Sequence, residues 1–298
     1  MGSVEENYNR INEYNKFFFK TGICFFREKR KQPCISLSHV GKRLNHEDNF
    51  LLDEYFITST QQKKICGGEL FIARSNCNSK VKLFAVSDGM GGHNAGEIAS
   101  RICMEELAKT YKELQYSNSL NEAIIYLRNK IVEINDIICK FSQITDAYKG
   151  MGATLLILIL FETKCAILNI GDSRAYYYEN NKLLRITKDH TVGQRILDSK
   201  VLTEKEYSFF PHRKALERYM GFERIGYSLK ADEYYLEPHR GIILLCSDGI
   251  SDFISDMRIC EILSKRSDIE ETGKKIVNEA INKHDSDNAT LILVPFGR

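Results

Sequence analysis

The sequence lacks the features that mark several large classes of protein. Its 298 residues include 42 basic and 40 acidic side chains, so no excess charge would attract nucleic acid or a membrane surface. The longest apolar stretch, 153–161, is too short to cross a bilayer and suits a buried strand. No basic segment followed by an apolar run opens the chain, so we expect no secretory leader. These observations predict a globular protein with neither a nucleic-acid nor a membrane partner.

Paired cysteines are also missing, because the nine cysteines are spread singly and none forms a Cys-x-x-Cys motif. This spacing argues against a structural zinc site. An odd number of separate thiols in a chain of this length indicates reduced cysteines, so we expect a cytoplasmic protein.

Common nucleotide-binding and hydrolase motifs do not occur either. The loop 89–93 lacks the third glycine of a dinucleotide-binding fingerprint, and no Gly-Lys-Ser/Thr follows a glycine loop. A Gly-x-Ser-x-Gly nucleophile elbow is absent. The chemistry must therefore lie in other residues.

Strand and helix patterns come in blocks rather than in strict alternation. Strand patterns occur at 34–40, 81–87, 153–161, 165–169, 174–179, 183–186, 242–246 and 289–294. Helix patterns occur at 95–114, 120–141 and 269–283. This order favours an α+β fold of mostly antiparallel sheets covered by helices. No Pro- or Ser-rich linker interrupts it, so we expect one domain over 33–298 after an N-terminal extension at 1–32.

A motif that occurs twice in the sequence indicates where the chemistry lies. Asp88-Gly89 ends one apolar strand and Asp248-Gly249 ends another. Each motif places a carboxylate at the mouth of a buried strand, and the glycine permits a sharp turn or a close approach. Two such aspartates would repel each other unless a cation lay between them. Hard cations such as Mg²⁺ and Mn²⁺ prefer oxygen ligands, so the repetition favours a metal site over ordinary turns.

Seven short segments, in order, resemble the metal-dependent protein phosphatases of the 2C type, in particular the bacterial ones. They are Arg43-Leu-Asn-His-Glu-Asp48, Asp88-Gly-Met-Gly-Gly-His93 with Gly96-Glu97, Gly150-Met-Gly-Ala-Thr154, Gly171-Asp-Ser-Arg-Ala-Tyr176, Thr187-Lys-Asp-His-Thr191, Leu245-Cys-Ser-Asp-Gly249 and Asp287-Asn288. One Asp-Gly-x-Gly-Gly alone is only moderately specific, whereas seven ordered segments are very specific.

The resemblance implies a fold and a reaction. The fold is a four-layer α/β/β/α sandwich of two mostly antiparallel sheets flanked by helices. The reaction is hydrolysis of phosphoserine and phosphothreonine in phosphoproteins, a serine/threonine kinase among them, by a water activated by two Mn²⁺ or Mg²⁺ ions. We expect a monomer.

The resemblance also assigns roles to single residues. The implied metal ligands are the carboxylates of Asp48, Asp88, Asp248 and Asp287 and the carbonyl oxygen of Gly89. Glu47 would orient the attacking water, and Arg43 would hold the substrate phosphate with its bidentate guanidinium.

Four further expectations concern other positions. His93 is a candidate general acid, because Met90 occupies the place of a histidine in some relatives; a backbone-bonded loop histidine is the alternative. The resemblance also makes Asp146 a candidate ligand for a third metal, because bacterial members carry an aspartate shortly before the segment that matches Gly150-Met-Gly152. The alternative is that Asp146 lies in a plain surface loop. The segment 192–230 is irregular and charged, and we expect it to be a mobile flap that selects protein substrates; 53–80 is a candidate hairpin.

Two other functions stay open. One is a pseudophosphatase that binds partners without catalysis, although all four aspartates and Arg43 are present. The other is a hydrolase of small phosphate esters, since both substrate classes share this chemistry.

Overall fold

The computed structural model describes residues 32–76, 79–91, 95–200, 206, 210–223, 228–265 and 267–296. Its strands are β1 Cys34–His39, β2 Asp48–Leu52, β3 Tyr55–Phe56, β4 Phe71–Ser75, β5 Val81–Met90, β6 Gly152–Ala153, β7 Leu155–Phe161, β8 Lys164–Ile170, β9 Arg174–Glu179, β10 Lys182–Arg185, β11 Asp232–Leu236, β12 Gly241–Cys246 and β13 Ala289–Phe296. Its helices are α1 Ser59–Cys66, α2 Ala95–Leu114, α3 Leu120–Ser142, α4 Val192–Asp198, α5 Asp248–Ser251, α6 Asp256–Ser264 and α7 Ile269–Ile281, with a 3₁₀ turn at Asp146–Tyr148. Apart from residue 32, the predicted N-terminal extension lies outside the described residues.

The strands form two antiparallel sheets. Sheet A has the order β10-β9-β12-β13-β1-β4, and sheet B has the order β11-β8-β7-β5-β2-β3, with β6 added beside β5. Neighbouring strands pair antiparallel in both sheets. The antiparallel architecture expected from the block order is confirmed.

Three apolar clusters separate four layers. One lies between the sheets and includes Phe50, Phe84 and Ile243. Another joins α2 and α3 to the outer face of sheet B, and a third joins α6 and α7 to the outer face of sheet A. Burial on both faces explains why strands such as Leu155–Phe161 are apolar throughout rather than alternating. The predicted α/β/β/α sandwich is confirmed.

Helix α3 shows how local sequence sets one of the outer layers. Ser119 caps its N-terminus by accepting a hydrogen bond from the Glu122 N–H at 3.2 Å, a contact worth roughly 1 kcal/mol. The apolar stripe predicted from the sequence is buried through its middle, from Ile124 to Ile138, whereas Phe141 at its end is 39% exposed. The stripe therefore fixes which face of the helix packs on sheet B.

The connection between β2 and β5 differs from the expectation. Residues 53–80 do not form a simple hairpin. Strand β3 pairs with β2 in sheet B, and helix α1 follows. Strand β4 then lies beside β1 at the edge of sheet A. The helix has a capping box at Thr58 and Gln61, a local signal that strand patterns do not contain. By contrast, the strands predicted at 174–179 and 183–186 form a tight hairpin, with Asn180 and Asn181 both at positive φ.

Parts of the segment 192–230 are ordered around the sheets. Helix α4 opens it, and an isolated bridge joins Met220 to Ala153. Met220 is fully buried, so this part of the segment contributes to the core, which the polar sequence did not predict. The described residues of the segment thus include one contact with β6, at Met220.

No helix within the described ranges is both long and apolar enough to cross a membrane.

Candidate functional site

Asp48 and Asp88 begin the site on two paired strands of sheet B. Asp48 opens β2 and Asp88 lies near the end of β5, and the two are register partners. Asp48 is 1% exposed, whereas Asp88 is partly exposed. Burial, together with the neighbouring carboxylates, raises the pKa of both groups well above that of a free aspartate. Two adjacent carboxyls are thus held at the end of one sheet.

Asp248 brings a third carboxyl from sheet A. It follows β12 and begins the short helix α5. Burial raises its pKa to about 6, with additional repulsion from Asp252 and Asp287, while a hydrogen bond shared with Asp88 lowers it. The aspartates of the two Asp-Gly motifs therefore meet across the sheets, as the repeated motif predicted.

The two glycines of these motifs allow close backbone approach. A Cβ on Gly89 would lie 2.1 Å from the Gly96 carbonyl oxygen at the start of α2. A Cβ on Gly249 would lie 1.8 Å from the Asn288 carbonyl oxygen. Any side chain here would push the strand ends apart. At both glycines, the group that approaches closely is protein backbone and not a ligand.

The loop between β1 and β2 carries Arg43 and Glu47. An Arg43 guanidinium nitrogen lies 2.6 Å from Asp287 Oδ2, and the arginine side chain is 60% exposed. Glu47 stands over the first turn of α2, and its Oε2 would be 2.9 Å from a Cβ on Gly96. Burial, and then repulsion from Asp287 and Glu97, raises the pKa of Glu47 to about 7.

Asn288 ties this loop to the end of β13. Its side-chain amide donates to the carbonyl oxygens of Val40 and Asn45, at 2.9 and 3.0 Å, and its Oδ1 accepts from the Glu47 N–H at 2.7 Å. The side chain is 5% exposed. Because Asn288 follows Asp287 directly, one dipeptide positions both a candidate ligand and the loop that holds Arg43.

Asp172 also lies close enough to Asp88 and Asp248 to interact with both. Burial, followed by repulsion from Asp248 and Asp189, raises its pKa to about 8. The preceding Gly171 donates its N–H to His190 Nδ1 at 3.1 Å, and its carbonyl accepts from the His190 N–H at 2.9 Å. Like Asp88 and Asp248, this aspartate follows a buried strand and adjoins a glycine, a signal that would have identified it.

The two other predicted site residues are Asp146 and His93. Asp146, in the 3₁₀ turn before β6, has a fully exposed side chain with Lys149 Nζ 4.0 Å from Oδ1. His93 lies outside the described residues. Both roles stay predictions.

The donor set is suited to hard cations, since it consists of carboxylates and carbonyl oxygens. Asp48 Oδ1 is buried and has no hydrogen-bond partner within the described chain, as expected for an oxygen that faces a cation. Within those same residues, no three His, Cys, Asp or Glu side chains form a preformed ligand cluster. Mg²⁺ and Mn²⁺ sites commonly keep several waters, so one or two carboxylates per ion suffice.

A cysteine nucleophile would not be active at this position. Cys246 precedes the Ser247-Asp248 turn and is fully buried. Burial raises the pKa of its thiol to about 12, so the reactive thiolate is scarce near neutral pH.

Comparison with known proteins agrees with the geometry. The pattern of the family described as Protein phosphatase 2C matches residues 72–284. "Serine/threonine phosphatase stp" of Listeria welshimeri is 30% identical over 210 residues, which cover 70% of this chain and 82% of that protein. The family match extends over β5 to β12 and includes Asp88 and Asp248.

Solved structures share the fold. Serine/threonine phosphatase Stp1 from Staphylococcus aureus superimposes with a TM-score of 0.73 and 26% identity, covering 93% of this chain and 99% of that one. The catalytic domain of serine threonine protein phosphatase PstP, in complex with two manganese ions, gives a TM-score of 0.66 and 25% identity. The match covers 88% of this chain and 98% of that one.

Proposed function

Because this chain belongs to the protein phosphatase 2C family and is a metal-dependent serine/threonine protein phosphatase, we propose that its group of neighbouring aspartates is the catalytic metal centre. The proposed ligands are the carboxylates of Asp48, Asp88, Asp248 and Asp287 and the Gly89 carbonyl oxygen. The observation that carries the assignment is that Asp88 adjoins both Asp48, its register partner in sheet B, and Asp248, which comes from sheet A. Their mutual repulsion is relieved by a bound cation.

We propose two Mn²⁺ or Mg²⁺ ions per site. When bound, the pair supplies a hydroxide nucleophile near neutral pH and neutralises charge on the phosphoryl group. The manganese-bound PstP structure supports this number for a relative of the same fold. Asp146 is proposed as a ligand of a third, weaker ion, because its exposed carboxylate is open to a cation from solvent.

Arg43 and Glu47 are the proposed catalytic side chains. The Arg43 guanidinium is exposed beside Asp287, where it can bind a phosphate through two parallel hydrogen bonds. A Glu47 carboxyl with a pKa of about 7 can accept and return a proton near neutral pH, which suits a group that orients the attacking water. His93 is proposed as the acid that protonates the leaving serine or threonine oxygen.

The proposed setting is a cytoplasmic signalling pathway. Substrates are phosphoproteins, and we propose that a serine/threonine kinase is among them. We further propose that the enzyme acts as a monomer, with residues 192–230 as a flap over the site. Isolated thiols such as Cys103 and Cys165, buried and with raised pKa values, support a reducing compartment.

One assay tests the assignment. The purified protein is incubated with a phosphothreonine peptide in Mn²⁺, in Mg²⁺ and in excess chelator, beside Asp248→Asn. Phosphate release with metal, and none with chelator or with the variant, is expected. Turnover in excess chelator by protein shown to hold no metal would reject the metal centre. Binding of phosphopeptide without hydrolysis would instead identify a pseudophosphatase.

A further inference from the structure

Three buried hydroxyls lie side by side on neighbouring strands of sheet A. They belong to Ser38 on β1, Thr290 on β13 and Ser247 at the end of β12, and all are fully buried. Ser38 and Thr290 are register partners whose oxygens are 2.7 Å apart. The Thr290 N–H donates to Ser247 Oγ at 3.1 Å. We call these three residues the hydroxyl row.

The hydroxyl row meets Asp48, which comes from the opposite sheet. Ser247 Oγ donates to Asp48 Oδ2 at 2.7 Å, and the Thr290 hydroxyl is near enough to lower the pKa of this carboxyl. Asp48 Oδ1 is buried and has no hydrogen-bond partner within the described residues. A buried carboxylate oxygen without a hydrogen-bond partner destabilises the metal-free protein. One oxygen is thus held by the protein while the other is left for a ligand.

His46 completes the arrangement behind Ser38. The His46 ring is fully buried, and its Nε2 lies 2.8 Å from Ser38 Oγ. The Ser38 oxygen lies within hydrogen-bonding distance of both the His46 ring and Thr290 Oγ1, so it links the two. His46 therefore supports the row from behind Ser38.

We propose that the hydroxyl row, supported by His46, positions the Asp48 carboxylate for one-oxygen binding to the metal through Oδ1. This inference rests on the proposed function, in which Asp48 is a ligand. The row residues are positioning residues, since none of them reaches substrate. A fixed carboxylate loses no rotamer freedom on binding, and hydrogen bonds to the second oxygen hold its orientation. The row therefore raises metal affinity without touching the metal.

The test measures Mn²⁺ affinity by titration calorimetry at one pH. Ser247→Ala and Thr290→Val are expected to weaken binding roughly 10-fold or more, as for partners of other metal ligands. Thr290→Ser retains the hydroxyl and is expected to stay near wild type. The matched control is Ser36→Ala. Ser36 lies on β1 with Ser38 and is equally buried, but its hydroxyl donates to the Leu291 carbonyl instead of to the hydroxyl row.

The outcomes separate this inference from the proposed function. Wild-type affinity in both Ser247→Ala and Thr290→Val would overturn the positioning role, while a loss in Asp48→Asn would keep the metal centre. An equal loss in Ser36→Ala would also overturn it, because general destabilisation would then explain the effect. Wild-type affinity in Asp48→Asn would reject Asp48 as a ligand and so the proposed centre. Melting curves of each metal-free variant verify that the fold is retained.

Discussion

Asp48 and Asp88 stand directly opposite each other across the antiparallel pair of β2 and β5. The Cβ atoms of such partners lie about 4.5–5.5 Å apart and point to the same face of the sheet. Two carboxylates at this separation repel each other, and burial in the site strengthens the repulsion. The metal-free protein is therefore less stable than it would be with a neutral residue at either position.

The first prediction concerns Asp88→Asn. The variant is expected to raise the melting temperature of the metal-free protein, because it removes one of the opposed charges. It is also expected to lose nearly all phosphatase activity and most of the stabilisation that Mn²⁺ gives, since a ligand is gone. Melting curves with and without Mn²⁺ measure both effects.

Asp53→Asn is the matched control for that experiment. Asp53 is also a buried carboxyl near β5, but it accepts hydrogen bonds from Ser75 Oγ and the Leu83 N–H, at 2.7 and 3.2 Å. Its replacement should not raise the melting temperature and should leave the response to Mn²⁺ intact. A lower melting temperature in metal-free Asp88→Asn would contradict the proposed repulsion.

The second prediction is a pH dependence of metal-free stability. Glu47, Asp248 and Asp172 have folded pKa values raised to about 7, 6 and 8, mainly by burial. The folded state therefore binds more protons than the unfolded state between about pH 4 and 8, so its unfolding free energy falls as pH rises through this window. Each such proton contributes a slope of about 1.4 kcal/mol per pH unit. Denaturant titrations at pH 5, 6, 7 and 8 measure the slope.

Saturating Mn²⁺ should flatten or reverse that slope, because the ion competes with protons for the same carboxylates. A metal-free protein whose stability is constant or rises from pH 5 to 8 would show that these carboxyls are not protonated together in the fold.

Sequence patterns predicted the layers and the aspartates for the same physical reason. A strand buried on both faces must be apolar, so a carboxylate at its end is conspicuous, as at Asp88 and Asp248. The connection 53–80 was harder to predict, because α1 is short and half-exposed and β4 finds its partner β1 across about forty residues. Non-local pairing of this kind has little local signature.

The supporting contacts of the site were not predictable from the sequence. Asn288 and His190 act through hydrogen bonds to backbone groups distant in the chain, such as Val40 O and Gly171 N. Such bonds depend on where the strands end in space, which periodicity does not encode.

The third prediction compares Arg43 with the residue that holds its loop. Arg43→Ala is expected to raise KM and lower kcat for p-nitrophenyl phosphate, because the guanidinium binds both ground state and transition state. Asn288→Ala is expected to act in the same direction and to destabilise the protein, since it breaks three hydrogen bonds to the loop and leaves buried backbone groups unpaired. Steady-state kinetics at saturating Mn²⁺ measure both.

Asn135→Ala is the control for Asn288→Ala. Asn135 is similarly buried and also holds a loop, through Gly221 N and Phe222 O, but that loop belongs to the segment 192–230. It should lower stability and leave the KM for the small ester nearly unchanged. An unchanged KM in Arg43→Ala would argue against its phosphate role.

The last prediction separates two roles within the segment 192–230. Arg213 is half-exposed, whereas the Arg218 guanidinium lies 2.7 Å from Asp232 Oδ1. Asp232 Oδ2 in turn lies 3.2 Å from Nε2 of the buried His190, which holds the Gly171 backbone before Asp172. Although burial opposes it, His190 and Arg218 hold the pKa of Asp232 below its usual range, so this carboxylate stays charged.

Charge reversal at each arginine should therefore have different consequences. Arg213→Glu is expected to lower kcat/KM on a phosphoprotein with acidic groups beside its phosphosite, and to leave p-nitrophenyl phosphate hydrolysis nearly intact. Arg218→Glu is expected to lower both rates, because it places like charges together and removes the support of His190 and Gly171. Equal losses on both substrates for Arg213→Glu would show that this part of the segment maintains the metal site instead of contacting protein substrates. Full activity of Arg218→Glu on the small ester would show that the chain of contacts through Asp232 does not reach the site.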